Sequence, residues 1–333
     1  MFPPQTKTVV IFEADAMKKR VLVADKIHPE AVAMMEKAGL EVFVNDEISH
    51  DELRELIPEF DALIVRSRTK VTRDIIEAGK KLVLVARSGV GLDNIDLKAA
   101  EERGIRVVNS PEASSVSVAE LTLGAMISLM RNIHTADRSM REGKWLKKEL
   151  QGCELRGKTL GIIGFGRIGQ EVARRAAAFQ MRILAYDILE ERRRNAEELG
   201  VHFVGTSREA LEKLLRESDV ITLHVPYLPE TRHMIGKKEI ALMKKEAYIL
   251  NVARGGIIDE EALYEALKSG RIAGAALDCY EQEPPSNILF ADLSNVLCTP
   301  HIGSSTREAL LANSTTIAKK VISFFRGEMQ KIN

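Results

Sequence analysis

Residues 159–169 read Thr-Leu-Gly-Ile-Ile-Gly-Phe-Gly-Arg-Ile-Gly. A short apolar run leads into G-x-G-x-x-G on Gly164, Gly166 and Gly169. The run Arg167–Phe179 follows, with Ile168, Val172, Ala176 and Phe179 spaced as one face of a helix. Each glycine has a physical task. Gly164 lets the chain turn sharply, Gly166 lets backbone approach a pyrophosphate, and Gly169 allows close helix–strand packing. The helix N-terminus offers N–H groups and partial positive charge to the phosphates, with Arg167 and Ile168 in its first turn. A second predicted strand, Arg182–Tyr186, ends in Asp187, about 20 residues on, where a carboxylate takes ribose hydroxyls. A glycine-rich turn without a ligand is the alternative; strand, helix and terminal acid together favour a dinucleotide. Asp187 would also repel a 2′-phosphate, which favours NAD over NADP. The Arg192–Arg194 run just beyond reads as a solvated helix face.

At 333 residues the chain has length for about two domains. Lys+Arg and Asp+Glu balance at 48 each, so nothing points to a nucleic-acid or membrane partner. No apolar run approaches the ~20 residues of a membrane span. The first residues lack the pattern of a signal peptide, and Met17-Lys-Lys-Arg before the strand VLVAD resembles a natural start. Residues 1–16 are therefore expected to be an extension or the product of an upstream start codon. Cys153, Cys279 and Cys298 are odd in number and lack metal or disulfide spacing, so no metal is expected and the cytoplasm is the expected compartment.

Residues 21–109 alternate short apolar strands with helices, the pattern of a buried parallel sheet: strands at Val21–Ala24, Glu41–Val44, Ala62–Val65, Leu82–Ala86 and Arg106–Val108. Residues 112–142 read as one long helical stretch, buried over Val116–Met130. Arg138–Gly157 is charged and irregular and carries the only tryptophan, Trp145. It reads equally as an arm against a second subunit or as a solvated connector. After the fingerprint, strands are predicted at Arg182–Tyr186, Val220–His224, Ala247–Asn251, Gly274–Leu277 and Asn295–Cys298. Ser305–Phe325 is a last helix with no strand after it, expected to return to the first domain.

Ligands of open α/β sheets bind outside the carboxyl ends of the strands. Arg254 follows one such end, Asp278 and Glu283 the next, and His301 the one after. An Arg fork suits a carboxylate or polarised carbonyl, a His carries a proton at neutral pH, and a Glu beside it orients the ring. Singly, Arg254 reads as well as an ion-pair partner, His301 as a structural His after Pro300, and Glu283 as a loop acid. Together, beside a dinucleotide fingerprint, they are the parts for hydride transfer at a hydroxyl carbon. In the first domain, Arg87-Ser88-Gly89-Val90-Gly91 offers backbone N–H groups for a carboxylate, and Arg66 and Ser67 add donors. Facing loops on two domains imply a cleft that closes around substrate.

At these residues the chain resembles the D-isomer-specific 2-hydroxyacid dehydrogenases. The carrying segments are ARSGVGLDNID (86–96), NSPEASSVSVAELTLGAM (109–126), GKTLGIIGFGRIG (157–169), NVARGGIIDEEAL (251–263), ALDCYEQEPP (276–285) and TPHIGSSTREA (299–309). The resemblance implies two doubly wound parallel-sheet domains: a Rossmann NAD-binding domain (109–303) inserted into a flavodoxin-like substrate-binding domain (17–108 and 304–333). It implies Arg254, Glu283 and His301 as catalytic residues. It places cofactor contacts on Val90, Gly164, Gly166, Arg167, Ile168, Gly169, Asp187, Pro226, Ala253, Asp278, Gly303 and Ser304. Substrate contacts fall on Arg66, Ser67, Arg87, Ser88 and Gly89. VRSRTKVT (65–72) and GLDNID are most similar to members that oxidise 3-phospho-D-glycerate to 3-phosphohydroxypyruvate in L-serine biosynthesis. Glyoxylate/hydroxypyruvate reductase or another D-2-hydroxyacid dehydrogenase is the alternative. An NAD-sensing binding protein, such as the corepressors on this scaffold, would need a broken catalytic set or a peptide-binding extension, and neither is seen. Ending at Asn333, the sequence leaves no room for the serine-binding domain of long members, which implies no feedback through one. The family's dimers use the cofactor domain and the arm before it, here Asp137–Leu150; a homodimer, or a tetramer of such dimers, is expected.

Overall fold

The computed structural model describes residues 18–328, so the expected extension over 1–16 lies outside the described residues. The chain forms two compact units, one of residues up to Ser110 together with those from Leu311, the other Pro111–Leu310.

The first unit runs β1 (Arg20–Val23), α1 (Pro29–Lys37), β2 (Glu41–Val44), α2 (His50–Leu56), β3 (Ala62–Val65), α3 (Arg73–Ala78), β4 (Leu84–Arg87), α4 (Leu97–Glu102) and β5 (Arg106–Asn109). All pairings are parallel, in the order β2-β1-β3-β4-β5, which is the flavodoxin-like order. The apolar run of β3 is buried along its whole length, because helices cover both faces of such a sheet. The helices start where their chemistry permits. Ser49 and Glu52 form a reciprocal capping box on α2, and Asp96 caps α4.

The second unit runs α5 (Ser115–Met130), α6 (Ile133–Arg141), β6 (Thr159–Ile163), α7 (Arg167–Ala178), β7 (Arg182–Tyr186), α8 (Arg192–Glu198), β8 (His202–Gly205), α9 (Arg208–Glu217), β9 (Val220–Leu223), α10 (Lys237–Leu242), β10 (Tyr248–Asn251), α11 (Glu260–Lys268), β11 (Gly274–Leu277) and β12 (Val296–Cys298). Its parallel sheet has the order β12-β11-β10-β9-β6-β7-β8, the Rossmann order with one strand added. The order reverses between β6 and β9, where Ile163 pairs with Leu223. The fingerprint stands at that switch point, and the ends of β10, β11 and β12 lie along the same side. The last helix, α12 (Arg307–Phe325), buries Ile317, Ala318 and Val321 with Val21, Val23 and Leu84 of the first unit's sheet, the return expected of a helix with no strand after it.

Three local expectations are corrected. The stretch 112–142 is two helices bent by 66°, broken at Asn132, whose φ of 52° is a left-handed conformation that asparagine tolerates. Strand β8 was not predicted. It is a short edge strand ending in Gly205, with an irregular register against β7. Phe179 does not share the buried face of α7: it is the C-cap, outside the last turn, and 41% exposed. Among the described residues no single helix is long and apolar enough to cross a membrane. The bent pair α5–α6 passes that test on length and composition, but α5 is largely buried in the core of its unit.

Candidate active site

The glycine turn after β6 has the shape its sequence demands. Gly164 has φ +93°, and a Cβ there would sit 2.6 Å from the His224 carbonyl. Its N–H donates to Tyr186 O at 2.8 Å. A Cβ on Gly169 would overlap the Gly164 carbonyl and approach Ile162 Cγ2 at 3.1 Å, so only glycine lets α7 pack this closely on β6. Gly166, the N-cap of α7, is the opposite case: a Cβ there would meet nothing within 4 Å. The open side therefore lies at the helix N-terminus, where a pyrophosphate needs it. Asp187 accepts from Phe165 N (2.7 Å) and Leu189 N (3.0 Å), which locks the β7 carboxylate beside the turn. This arrangement fits a dinucleotide. Next to it, His224 Nε2 lies 3.0 Å from Thr222 Oγ1, and its Nδ1 is enclosed without a hydrogen-bond partner. Burial pulls its pKa down to about 3, so the ring is neutral.

The end of β10 is folded by Asn251. Its Oδ1 accepts from Ala253 N (3.1 Å) and its Nδ2 donates to the Arg254 carbonyl (2.8 Å), so the amide closes the loop that presents Arg254. Arg254 is half-buried, and its Nη1 donates to Ala253 O at 2.6 Å. Gly255 has no room for a side chain, since a Cβ would overlap the Tyr280 carbonyl. The Arg254 loop therefore lies directly against the loop after β11.

The end of β11 carries Asp278, 1% exposed. Its Oδ1 accepts from Thr299 Oγ1 (2.6 Å) and Ile302 N (2.8 Å), and its Oδ2 from Gly303 N (2.8 Å). The Tyr280 hydroxyl bridges the carbonyls of Leu277 and Thr299, at 3.1 Å each. These bonds hold the turn after β12, in which His301 takes φ +52°, a conformation a histidine keeps only when its surroundings over-determine it. The turn sets His301 Nδ1 2.7 Å from Glu283 Oε2, while Glu283 Oε1 accepts from Tyr280 N at 3.0 Å. Burial raises the Glu283 pKa. The bond from His301, the Tyr280 amide and the positive charges of His301 and Arg254 outweigh that, and the carboxyl sits below the usual glutamate range. A carboxylate held this way fixes the ring through Nδ1, the arrangement of a general acid/base with an orienter.

The expected residues of the second unit thus divide by what they touch. Arg254, Glu283 and His301 stand on adjoining loops. Gly164, Gly166, Gly169 and Asp187 shape the glycine turn, with Arg167 exposed and Ile168 half-buried in the first turn of α7. Ala253 and Gly303 are buried, Ser304 is half-buried, and the Pro226 carbonyl accepts from Thr231 Oγ1 at 2.7 Å. Sequence reasoning missed Asn251, Thr222, Tyr280 and Thr299, which position the others. It also gave Asp278 only a cofactor contact, whereas its carboxylate builds the His301 turn.

In the first unit, Arg66 N donates to Asp25 Oδ2 (2.5 Å) and its Nη1 to Lys26 O (3.4 Å). Burial lowers the Arg66 pKa against the attraction of Asp25. The neighbouring Arg68 is tied to the scaffold through Asp25, Ile48 O and Ala24 O. Asn94 Nδ2 spans the Arg66 and Thr69 carbonyls at 2.8 and 2.7 Å, which fixes the loop. Ser67 is exposed. After β4 the Arg87 guanidinium lies over Gly89, whose φ is +155°, so a side chain on Gly89 would collide with it. Ser88 is buried with its hydroxyl unbonded, and the Val90 carbonyl accepts from Asn109 Nδ2 at 2.5 Å.

Residues 123–303 match the family model described as D-isomer specific 2-hydroxyacid dehydrogenase, NAD binding domain. The chain belongs to this dehydrogenase family. Its curated relatives include a D-3-phosphoglycerate dehydrogenase of Methanocaldococcus jannaschii, 51% identical over 93% of this chain and 58% of the relative, so the chain spans little more than half of that protein. A hydroxypyruvate reductase of Thermotoga maritima is 50% identical over 91% of this chain and 97% of the relative. Among solved structures, the D-lactate dehydrogenase of Aquifex aeolicus complexed with NAD and lactic acid superposes with a TM-score of 0.79 at 30% identity, covering 94% of this chain and 97% of that one. The fold and the glycine fingerprint of the chain are thus those of its family.

Proposed function

We propose that this dehydrogenase oxidises 3-phospho-D-glycerate to 3-phosphohydroxypyruvate with NAD, a step toward L-serine. The observation that carries the reaction class is the Glu283–His301 pair, 2.7 Å apart across the loops after β11 and β12, with the Arg254 loop packed against the first of these. Bound NAD supplies the hydride acceptor. His301 Nε2 takes the hydroxyl proton, because Nδ1 is engaged by Glu283 and only Nε2 remains to face a substrate. Glu283 stabilises the imidazolium that results. Arg254 binds the substrate carboxylate and polarises the developing carbonyl. Gly164, Gly166, Arg167, Ile168 and Gly169 would hold the pyrophosphate and Asp187 the ribose. Val90, Pro226, Ala253, Asp278, Gly303 and Ser304 would complete the cofactor site. The Ser88–Gly89 backbone would receive the substrate carboxylate, with Arg66, Ser67 and Arg87 nearest the phosphate.

The substrate reading is supported by the cations of Arg66 and Arg87 and by the D-3-phosphoglycerate dehydrogenase relatives. The full-length similarity to a hydroxypyruvate reductase supports a second reading: the same chemistry on unphosphorylated acids. The enzyme would act in the cytoplasm as a homodimer paired through the arm around Asp137–Leu150. The test is NADH formation with 3-phosphoglycerate beside D-glycerate and D-lactate, with hydroxypyruvate and glyoxylate in reverse. The proposal expects a preference for 3-phosphoglycerate that Arg66→Ala abolishes, by about tenfold or more for one lost charge-assisted contact. Activity confined to unphosphorylated acids would select the second reading.

A further inference from the structure

One side chain at the site has no part in the proposed hydride transfer. Cys279 follows Asp278 at the end of β11, is 1% exposed, and its thiol donates to the Ala253 carbonyl at 3.4 Å. Its Sγ, a carboxylate oxygen of Glu283 and a ring nitrogen of His301 all lie within 4.8 Å of one another. No sequence spacing announces this cluster, because 279 and 283 share one loop while 301 arrives from the next strand end.

We propose that Cys279, Glu283 and His301 form an inhibitory binding site for a zinc-class divalent cation. A tetrahedral zinc ion, about 2.0–2.1 Å from nitrogen and oxygen and 2.3 Å from sulfur, spaces its ligand atoms by roughly 3.3–3.6 Å. Side-chain adjustments of about an ångström bring the cluster to that spacing. One thiolate, one imidazole and one carboxylate make the three-protein-ligand set of an open zinc site, whereas magnesium and calcium require mostly oxygen donors. Entry is available, since the His301 and Glu283 side chains keep 42% and 35% of their surface exposed.

Binding has a definite proton balance. The Cys279 thiol gives its proton to solvent as the sulfur takes the metal. Neutral His301 coordinates through Nδ1, the atom now bonded to Glu283, and its single proton moves from Nδ1 to Nε2. Glu283 exchanges the Nδ1–H for the cation. Nε2 then carries a proton and cannot accept another, so the dyad stops working as a base. That inhibitory consequence rests on the catalytic reading of His301; the metal site itself does not.

The test uses the full chain in a Cys153→Ser background, which removes the exposed thiol. Cobalt(II) is the probe: a thiolate ligand gives a near-ultraviolet charge-transfer band, and zinc displaces it. The proposal expects one cobalt per chain with that band. Cys279→Ala should abolish the band and weaken zinc binding roughly a hundredfold or more, as expected for a lost primary ligand. Glu283→Gln should weaken binding while keeping the band. NADH binding by both variants shows that they are folded. Absence of the band, or its survival in Cys279→Ala, overturns the site. The expected companion result is zinc inhibition reversed by a chelator and absent in Cys279→Ala. If cobalt binds through Cys279 and turnover is unchanged, His301 is not a ligand and the inhibitory role fails, whereas the assignment of His301 as base is decided separately by the turnover of His301→Ala.

Discussion

His301 is where the chain's chemistry meets its backbone geometry. Its left-handed φ costs about 1–3 kcal/mol, and its ring is set by the 2.7 Å bond to Glu283. If the ring is the proton carrier, His301→Ala lowers turnover by about 10²–10⁴-fold. NADH affinity, measured by fluorescence titration, stays unchanged because the fingerprint is untouched; unchanged turnover would sink the assignment. Glu283 gives a second expectation at this scale. Its folded pKa lies below that of an unfolded glutamate, about 4.3, so it binds fewer protons in the native state through that range. The stability it contributes is present above that pH and is lost as pH falls through the folded value. Melting temperatures of the native protein and of Glu283→Gln should therefore differ most near neutrality and converge as the pH is taken below about 4. A gap that widens in acid would contradict the pairing. With 35% of the Glu283 side chain exposed, solvent screening keeps the gap small.

At the scale of elements, the β12 turn is the most informative piece. Asp278 accepts from three groups that lie 21 to 25 residues further along the chain. Removing it in Asp278→Ala leaves the Ile302 and Gly303 amides without their acceptor, a loss of about 2–4 kcal/mol in chemical unfolding, and lets the His301 ring drift from Glu283. Unchanged stability would mean that the amides find other partners. This turn also marks the limit of what sequence could tell. The glycine fingerprint was legible because each glycine answers a local constraint, and Gly164 and Gly169 meet the crowding their spacing implied. The buried strands were legible because they are unbroken apolar runs between helices. Strand β8 was not, because an edge strand of four residues ending in glycine carries no such run. The break at Asn132 was hidden because helical spacing resumes after it. The positioning roles of Asp278 and Tyr280, and the approach of Cys279 to His301, arise from strand ends that only the sheet brings side by side.

For the whole molecule, two parallel sheets with their own cores account for the apolar strands. Among the apolar side chains exposed outside those cores are three on α6 and the segment after it: Ile133 is 50% exposed, Met140 55% and Trp145 75%. A tryptophan this exposed is of the type that anchors interfaces. If the arm pairs two chains, light scattering after gel filtration gives the mass of two chains for the native protein. Trp145→Glu then removes a central contact worth about 2 kcal/mol or more, which raises the dimer dissociation constant roughly thirtyfold and shifts dilute samples toward single chains. NADH binding should survive the substitution, because Gly166 caps α7 and Asp187 follows β7, away from the arm in sequence. A native protein that elutes with the mass of one chain would leave Trp145 as solvated surface and remove the arm from the account of assembly.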